Sequence, residues 1–200
     1  MTDFRFDETT HTYYLDGVKI PSVSEIISPL VDYSEVNPIT LANACNYGKA
    51  VHRTIELWLN GNLDENCGFS EGLKQPLDEF KEFIELFRTG VYIAEEKYYN
   101  KKLRFAGTID LLLTSPKEEK AIIDIKTRKY NPITDDLQLA GYEILTGCKC
   151  EKFVLELLPN KPFNLIKVNN KQAKSMFLYM LDYWWKTNEF NNKINQWRLK

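Results

Sequence analysis

The stretch from Phe105 to Thr127, FAGTIDLLLTSPKEEKAIIDIKT, limits the fold more tightly than any other part of the chain. Its two runs, Ile109–Thr114 and Ala121–Ile125, are short, rich in Ile and Leu, and separated by a polar turn that contains Pro116. That is the pattern of a β-hairpin. Both faces of these strands are apolar, so helices must cover both. The expected fold class is therefore α/β, a mixed central β-sheet flanked by helices. Asp110, Asp124 and Lys126 interrupt the same apolar runs, where a charge is costly to bury.

With the turn centred on Lys117, Asp110 lies directly opposite Asp124, and facing residues have Cβ atoms roughly 4.5–5.5 Å apart. Strand periodicity adds Lys126 to that face and sends Ile109, Leu111, Ile123 and Ile125 to the other. Two carboxylates this close repel unless a cation or a proton sits between them. A bound metal satisfies the spacing. A buried Asp–Lys ion pair, with the second Asp exposed at a strand end, satisfies it equally well.

Two hundred residues, 44% of them hydrophobic, with no long low-complexity segment, predict a single domain spanning residues 1–200. A net charge of −2 argues against a protein that coats nucleic acid by bulk charge, but it leaves room for a local basic groove. The opening MTDFRFDETT lacks the basic-then-apolar pattern of a signal peptide, and no run approaches membrane-spanning length. The expectation is a soluble, intracellular, cytoplasmic protein with no membrane partner. Cys45, Cys67, Cys148 and Cys150 form no C-x-x-C pair and are read as free thiols.

Along the chain, residues 1–37 read as a hairpin turning at Asp16-Gly17, followed by a short helix opened by a Ser22/Glu25 capping box. Residues 38–90 read as two helices, about 39–60 and 71–88, stopped by Gly61 and Gly90. Residues 91–168 hold strands near 92–99, 103–114, 121–127, 153–157 and 163–168, with a helix over about 135–145. Residues 169–200 close the chain as an amphipathic helix, whose Tyr183, Trp184 and Trp185 are assigned to the core.

Further candidate ligands lie outside the hairpin. Gly48-x-x-x-His52-x-x-x-Glu56 places a small residue, an imidazole and a carboxylate on one helical stripe. A glycine inside a helix costs about 0.5–1 kcal/mol relative to Ala, which asks for a close approach at Gly48. A surface His52–Glu56 pair explains the same spacing. Gln138 and Tyr142 repeat the i,i+4 device, as an ordinary amphipathic helix also would. His11 is read as a surface residue.

GTIDLLL followed by IIDIKT resembles the core of the PD-(D/E)xK, restriction-endonuclease-like nucleases, with Asp110 as first acid and Asp124-Ile125-Lys126 as (D/E)-x-K. Gly48-x-x-x-His52 upstream and Gln138-x-x-x-Tyr142 downstream resemble the added motifs of the RecB-like branch, in the same order. The N-terminal hairpin, the DYSEVNP loop and NACNYGKAVHRTIELWLNG are similar to small phage-type exonucleases of that branch. The first motif reads Ile109-Asp110 in place of Pro-Asp.

The resemblance implies a divalent-metal-dependent deoxyribonuclease. His52, Asp110, Asp124 and the Ile125 carbonyl would bind Mg²⁺ or Mn²⁺, and Glu96 would hold a second metal or orient a ligand. Lys126 would act on the attacking water and the developing charge, with Gln138 and Tyr142 positioning the strand. Lys97, Lys101, Lys102, Arg104, Arg128 and Lys129 would supply a local basic surface for DNA. Some relatives carry an iron–sulfur cluster on four cysteines, but the spacing here matches no such ligand pattern. An exonuclease working on DNA ends in phage-type recombination, repair or processing is the implied function, with a recombination or single-strand-annealing protein as partner and a host cell as setting. A structure-specific or flap endonuclease, or a non-catalytic DNA-binding subunit, remains the alternative.

Overall fold

The structure, a computed structural model, describes residues 2–65, 70–87, 91–114 and 120–198, without the side chains of residues 91, 92 and 190–198. Strands β1 (Phe4–Asp7), β2 (Thr12–Leu15) and β3 (Val18–Ile20) form an antiparallel sheet in that order. Asp16 and Gly17 both adopt positive φ, 51° and 74°, the turn that matches strand twist in a two-residue hairpin. β1 lies beyond the expected hairpin and pairs with β2 through the register Phe4↔Leu15. Helix α1 (Val23–Ile27) opens on the expected capping box: Ser22 Oγ accepts from the Glu25 N–H at 3.0 Å, and Glu25 Oε2 accepts from the Ser22 N–H at 2.8 Å.

Two helices follow, α2 (Pro38–Leu59) and α3 (Glu71–Phe87). Asn37 caps α2, and Pro38 occupies its first turn, where a missing N–H costs nothing. The second sheet contains β4 (Val91–Asn100), β5 (Phe105–Thr114), β6 (Lys120–Lys126), β7 (Glu151–Glu156) and β8 (Asn164–Lys167), in that spatial order. Only the β6–β7 pairing is parallel, and α4 (Thr134–Thr146) bridges it. α5 (Ala173–Arg198) ends the described chain.

The hairpin register is as expected, with Leu111↔Ile123, Leu112↔Ile122 and Leu113↔Ala121, although the turn at Lys117 lies outside the described residues. Helices cover both faces of this mixed sheet. On one, Val51, Ile55, Leu77 and Phe80 of α2 and α3 pack on Leu111, Ile123, Ile125 and Leu155. On the other, Val23, Leu139 and Phe177 of α1, α4 and α5 pack on Leu112, Ile122 and Val154. Ile109 departs from the expected alternation and joins this second cluster. The regular pleat breaks beside it, where Glu95, between the pairs Ala94↔Leu111 and Glu96↔Ile109, takes a φ of 50°.

Tight packing of α4 on α5 gives a first prediction. A Cβ on Gly141 would sit 2.8 Å from Phe177 Cε2 and 3.0 Å from Val23 Cγ1, both on fully buried side chains. Overpacking of this kind costs about 1–3 kcal/mol, more than the roughly 1 kcal/mol that Ala gains over Gly in helix propensity. Gly141→Ala should therefore lower stability in urea unfolding. A variant as stable as the parent would mean that α5 moves aside freely.

Candidate metal centre and active-site cleft

Elements distant in sequence meet at one end of the five-stranded sheet. The β5–β6 ladder stops at Leu111↔Ile123, one position short of Asp110 and Asp124, and Asp110 Oδ2 accepts the Ile125 backbone N–H at 2.7 Å. α2 carries His52 to this place, with Nδ1 3.2 Å from Glu95 Oε1 and 3.7 Å from Asp110 Oδ1. Its Nε2 lies 3.1 Å from the Ile125 carbonyl oxygen. Ligand atoms of His52, Glu95 and Asp110 all fall within 4.8 Å of one another.

Burial works against a charged imidazole, but Asp110 and Glu95 outweigh it and push the His52 pKa up to about 9. Burial also raises Asp110, against the pull of His52. Asp124 is wholly buried, and burial pushes it up to about 7 even though Lys126 Nζ lies 2.7 Å from its Oδ2. Neither Asp124 oxygen has a hydrogen bond in good geometry among the described residues. Lys126 itself loses solvation, but Asp124 and Asp110 more than compensate and hold it protonated above the usual lysine range.

Buried carboxylates raised in this way, gathered around one lysine and one imidazole, mark a site that would gain from a further cation. The donor set, carboxylates with a carbonyl and one imidazole, fits Mg²⁺ or Mn²⁺, and the imidazole tilts it toward Mn²⁺. His52, Glu95 and Asp110 converge there, the Ile125 carbonyl lies against the other ring nitrogen of His52, and Asp124 is engaged with Lys126.

Glu96 is not in this cluster. It is exposed and accepts from the Tyr98 hydroxyl, whereas Glu95, between the pairs Ala94↔Leu111 and Glu96↔Ile109, stands opposite Asp110. Glu56 pairs with Arg53 at 2.5 Å and leaves His52 to the site. Gly48 has the close approach its position in α2 asks for: a Cβ there would lie 3.3 Å from Thr127 Oγ1. Lys126 Nζ donates to Gln138 Oε1 at 3.0 Å, and Gln138 Nε2 donates to the Tyr142 hydroxyl at 2.7 Å. Burial raises the Tyr142 pKa well above its ordinary value, so that hydroxyl stays protonated.

His52, Glu95, Asp110, Gln138 and Tyr142 line a cleft of about 620 Å³ whose further walls are the β1–β2 turn, α1 and α2, whereas Asp124, Ile125 and Lys126 are not among its lining residues. His11, exposed and edge-on to Phe6, sits on its rim. None of the six expected basic residues lines the cleft; Lys49 and Arg53, one turn around His52, do. Lys97 lies over the Phe6 ring at 5.0 Å, Arg104 lies over Trp185 at 5.7 Å, and Lys101 donates to Thr2 Oγ1. Lys102 and Lys129 are exposed. On α5, Phe177 and Leu181 are buried, Trp184 and Trp185 are half-buried, and Tyr183 is exposed. Cys45, Cys148 and Cys150 are free thiols, and Cys67 lies outside the described residues.

Arg128 is held by the buried Asp135, at 2.5 and 2.9 Å, and the Asn131 N–H also donates to Asp135 at 2.7 Å. This clamp ties the loop after Lys126 to the start of α4, the helix that carries Gln138. Burial opposes charge on Asp135, but Arg128 and Asn131 outweigh it and keep its carboxyl below the usual range. Asp135→Ala strands those donors and should cost about 1–3 kcal/mol, discounted from a fully buried pair because Arg128 is half exposed. With the folded pKa depressed, the stabilisation is complete above the unfolded value of about 3.9 and is lost as pH falls through the folded one. Acid unfolding of the parent and the variant should converge at low pH. A constant difference down to the most acid pH would contradict the ionic origin.

No protein-family model and no curated protein matches this chain. Among solved structures, LHK-Exo in complex with dAMP aligns with a TM-score of 0.53 over 90% of this chain and 93% of its own, at 11% identity. A second structure of LHK-Exo, the alkaline exonuclease of Laribacter hongkongensis, aligns with a TM-score of 0.42 over 88% and 93%, at 14% identity. SSO0001 aligns with a TM-score of 0.38 over 54% of both chains, at 14% identity, so this chain spans about half the length of that protein. The first alignment establishes the fold: the mixed sheet and its flanking helices are those of that exonuclease.

Proposed function

We propose that this chain, built on the PD-(D/E)xK fold of an exonuclease, is a divalent-metal-dependent deoxyribonuclease working on DNA ends. The observation that carries the reading is the meeting of His52, Glu95 and Asp110 beside the buried Asp124–Lys126 pair. LHK-Exo is an alkaline exonuclease crystallised with dAMP, and a deoxynucleotide is what hydrolysis at a DNA end releases, which supports DNA as substrate.

Bound Mg²⁺ or Mn²⁺ would polarise the scissile phosphate and make a coordinated water acidic enough to attack it. His52, Glu95 and Asp110 would hold the ion, with the Ile125 carbonyl beside them, and His52 would have to be neutral to do so. Lys126, kept as an ammonium by Asp124, faces the phosphoryl oxygens and offsets the charge that develops on them. Gln138 fixes the direction of Lys126 through its amide oxygen, and the Tyr142 hydroxyl fixes Gln138. Lys49 and Arg53 at the cleft wall contact the strand's phosphates. End-processing in recombination or repair is the setting that suits this activity.

Digestion of linear and covalently closed DNA, single- and double-stranded, tests the reading. Linear DNA should be degraded with Mg²⁺ or Mn²⁺, closed circles should survive, and EDTA should stop the reaction. Cutting of closed circles would make the protein an endonuclease. DNA binding without cleavage in either metal would make it a non-catalytic subunit.

A further inference from the structure

The turn between β1 and β2 forms one wall of the cleft with Glu8, Thr9 and His11, and His11 is exposed there with a φ of 50°. A side chain with a Cβ is strained at such a φ, where Gly sits freely, so His11 is held at some cost to the turn. Strain of this kind persists only where the surroundings over-determine it, and it points from the outlier to a use.

The surroundings do fix His11. Asp7 Oδ1 accepts the Thr9 and Thr10 N–H groups at 2.9 and 3.2 Å, and the Thr12 hydroxyl donates to the Thr10 carbonyl at 3.1 Å. Behind the imidazole stands an aromatic support. His11 meets Phe6 edge-on, with 5.0 Å between ring centres and 86° between planes, and Phe6 leans on Tyr13 at 4.7 Å. The Tyr13 hydroxyl is hydrogen-bonded to Thr108 Oγ1 at 2.6 Å, two residues before Asp110 on β5. His11 is thereby tied to the strand that carries Asp110, and neither Phe6 nor Tyr13 lies flat on its ring.

Charge divides the cleft. Among the described residues its lining lysine and arginine, Lys49 and Arg53, both stand on α2, where Arg53 shares Glu56, whereas the turn brings Glu8 and no cation. The phosphate of a nucleotide is drawn to the α2 wall and turned away from Glu8, which leaves its base on the side of His11. About 620 Å³ falls within the roughly 300–1,000 Å³ that takes one small ligand, so one nucleotide reaches both walls.

We propose that His11 is the base platform of the cleft, with the base of the nucleotide at the DNA end stacked on its imidazole. The proposal rests on the deoxyribonuclease reading and adds a specificity to it. Every base has a π face, so stacking accepts all four, whereas an end without a base loses the contact.

Single-turnover cleavage with Mg²⁺, titrated with protein, tests this on linear DNA, single- and double-stranded, whose end nucleotides carry a base or are abasic. His11→Gly suits the turn and should change thermal unfolding little. On ordinary ends it should raise the half-saturating protein concentration about tenfold, the order of one base–aromatic stack, with the maximal rate nearly kept. The parent should lose the same factor on abasic ends, where His11→Gly loses nothing further, and His11→Phe should restore saturation on ordinary ends. A His11→Gly variant that saturates like the parent, or that loses as much on abasic ends as on ordinary ones, overturns the proposal. Rescue by His11→Lys but not by His11→Phe overturns it too, and makes the contact one to phosphate. Each of these results leaves the nuclease reading standing, whereas a parent that neither binds nor cuts linear DNA removes both.

Discussion

Asp110→Asn should lower the cleavage rate by about 10³-fold or more, the loss expected when an anionic ligand is removed from a metal that stabilises several kcal/mol of developing charge. The same substitution should leave the protein folded and at least as stable. Asp110 is buried, its pKa is already raised, and an Asn oxygen can still accept from the Ile125 N–H. A carboxyl whose pKa is raised on folding destabilises the fold when ionised, so removing its charge relieves that cost. Inactive yet stable is the combination a metal site predicts. A purely structural ion-pair network predicts the reverse, near-normal cleavage with lost stability. Thermal unfolding without added divalent metal and single-turnover cleavage with Mg²⁺ separate the two.

Lys126→Ala should lower the single-turnover rate by about 10²-fold or more while DNA and Mg²⁺ binding change far less. A protonated lysine cannot ligate a metal, so its contribution appears mainly as negative charge grows on the phosphoryl group. Removal also leaves Asp124 buried without a cation, and breaking a buried pair costs on the order of 3–5 kcal/mol. That cost falls below the upper figure if Asp124 takes up a proton, which its pKa of about 7 makes easy near neutrality. The rate must therefore be expressed per folded molecule. A large stability loss with an unchanged rate per folded molecule would reduce Lys126 to a structural partner and remove the most specific residue of the site.

The central hairpin was legible because few alternatives fit it. Two runs apolar on both faces demand a covered sheet, and one short turn sets the register whose last pair, Leu111↔Ile123, lies one position from Asp110 and Asp124. Ser22 with Glu25, Asp16-Gly17 and the glycine in α2 were legible for the same reason, each being a local pattern with a local cause. Glu95 was not. Two adjacent glutamates lie on opposite sides of a regular strand, and nothing in local propensity announces that a non-glycine residue will take a φ of 50° in mid-strand. The β4–β5 pairing sets Glu95, not Glu96, opposite Asp110, and Ile109 joins the other core.

None of the six expected basic residues lines the cleft, for a different reason. Lys97 and Arg104 are engaged by Phe6 and Trp185, distant in sequence, so their availability to DNA was a tertiary question. Lys49 and Arg53 were within reach of sequence reasoning, since they flank His52 within one turn of the same helix.

Every catalytic role proposed for the cleft depends on a divalent ion held where His52, Glu95 and Asp110 meet beside the Ile125 carbonyl. Crystals soaked in Mn²⁺ and measured at the manganese absorption edge locate that ion directly. The predicted result is an anomalous difference peak bounded by those four groups, with Glu96 outside the coordination sphere. A crystal with no peak there, or with its strongest peak on other side chains, would contradict it.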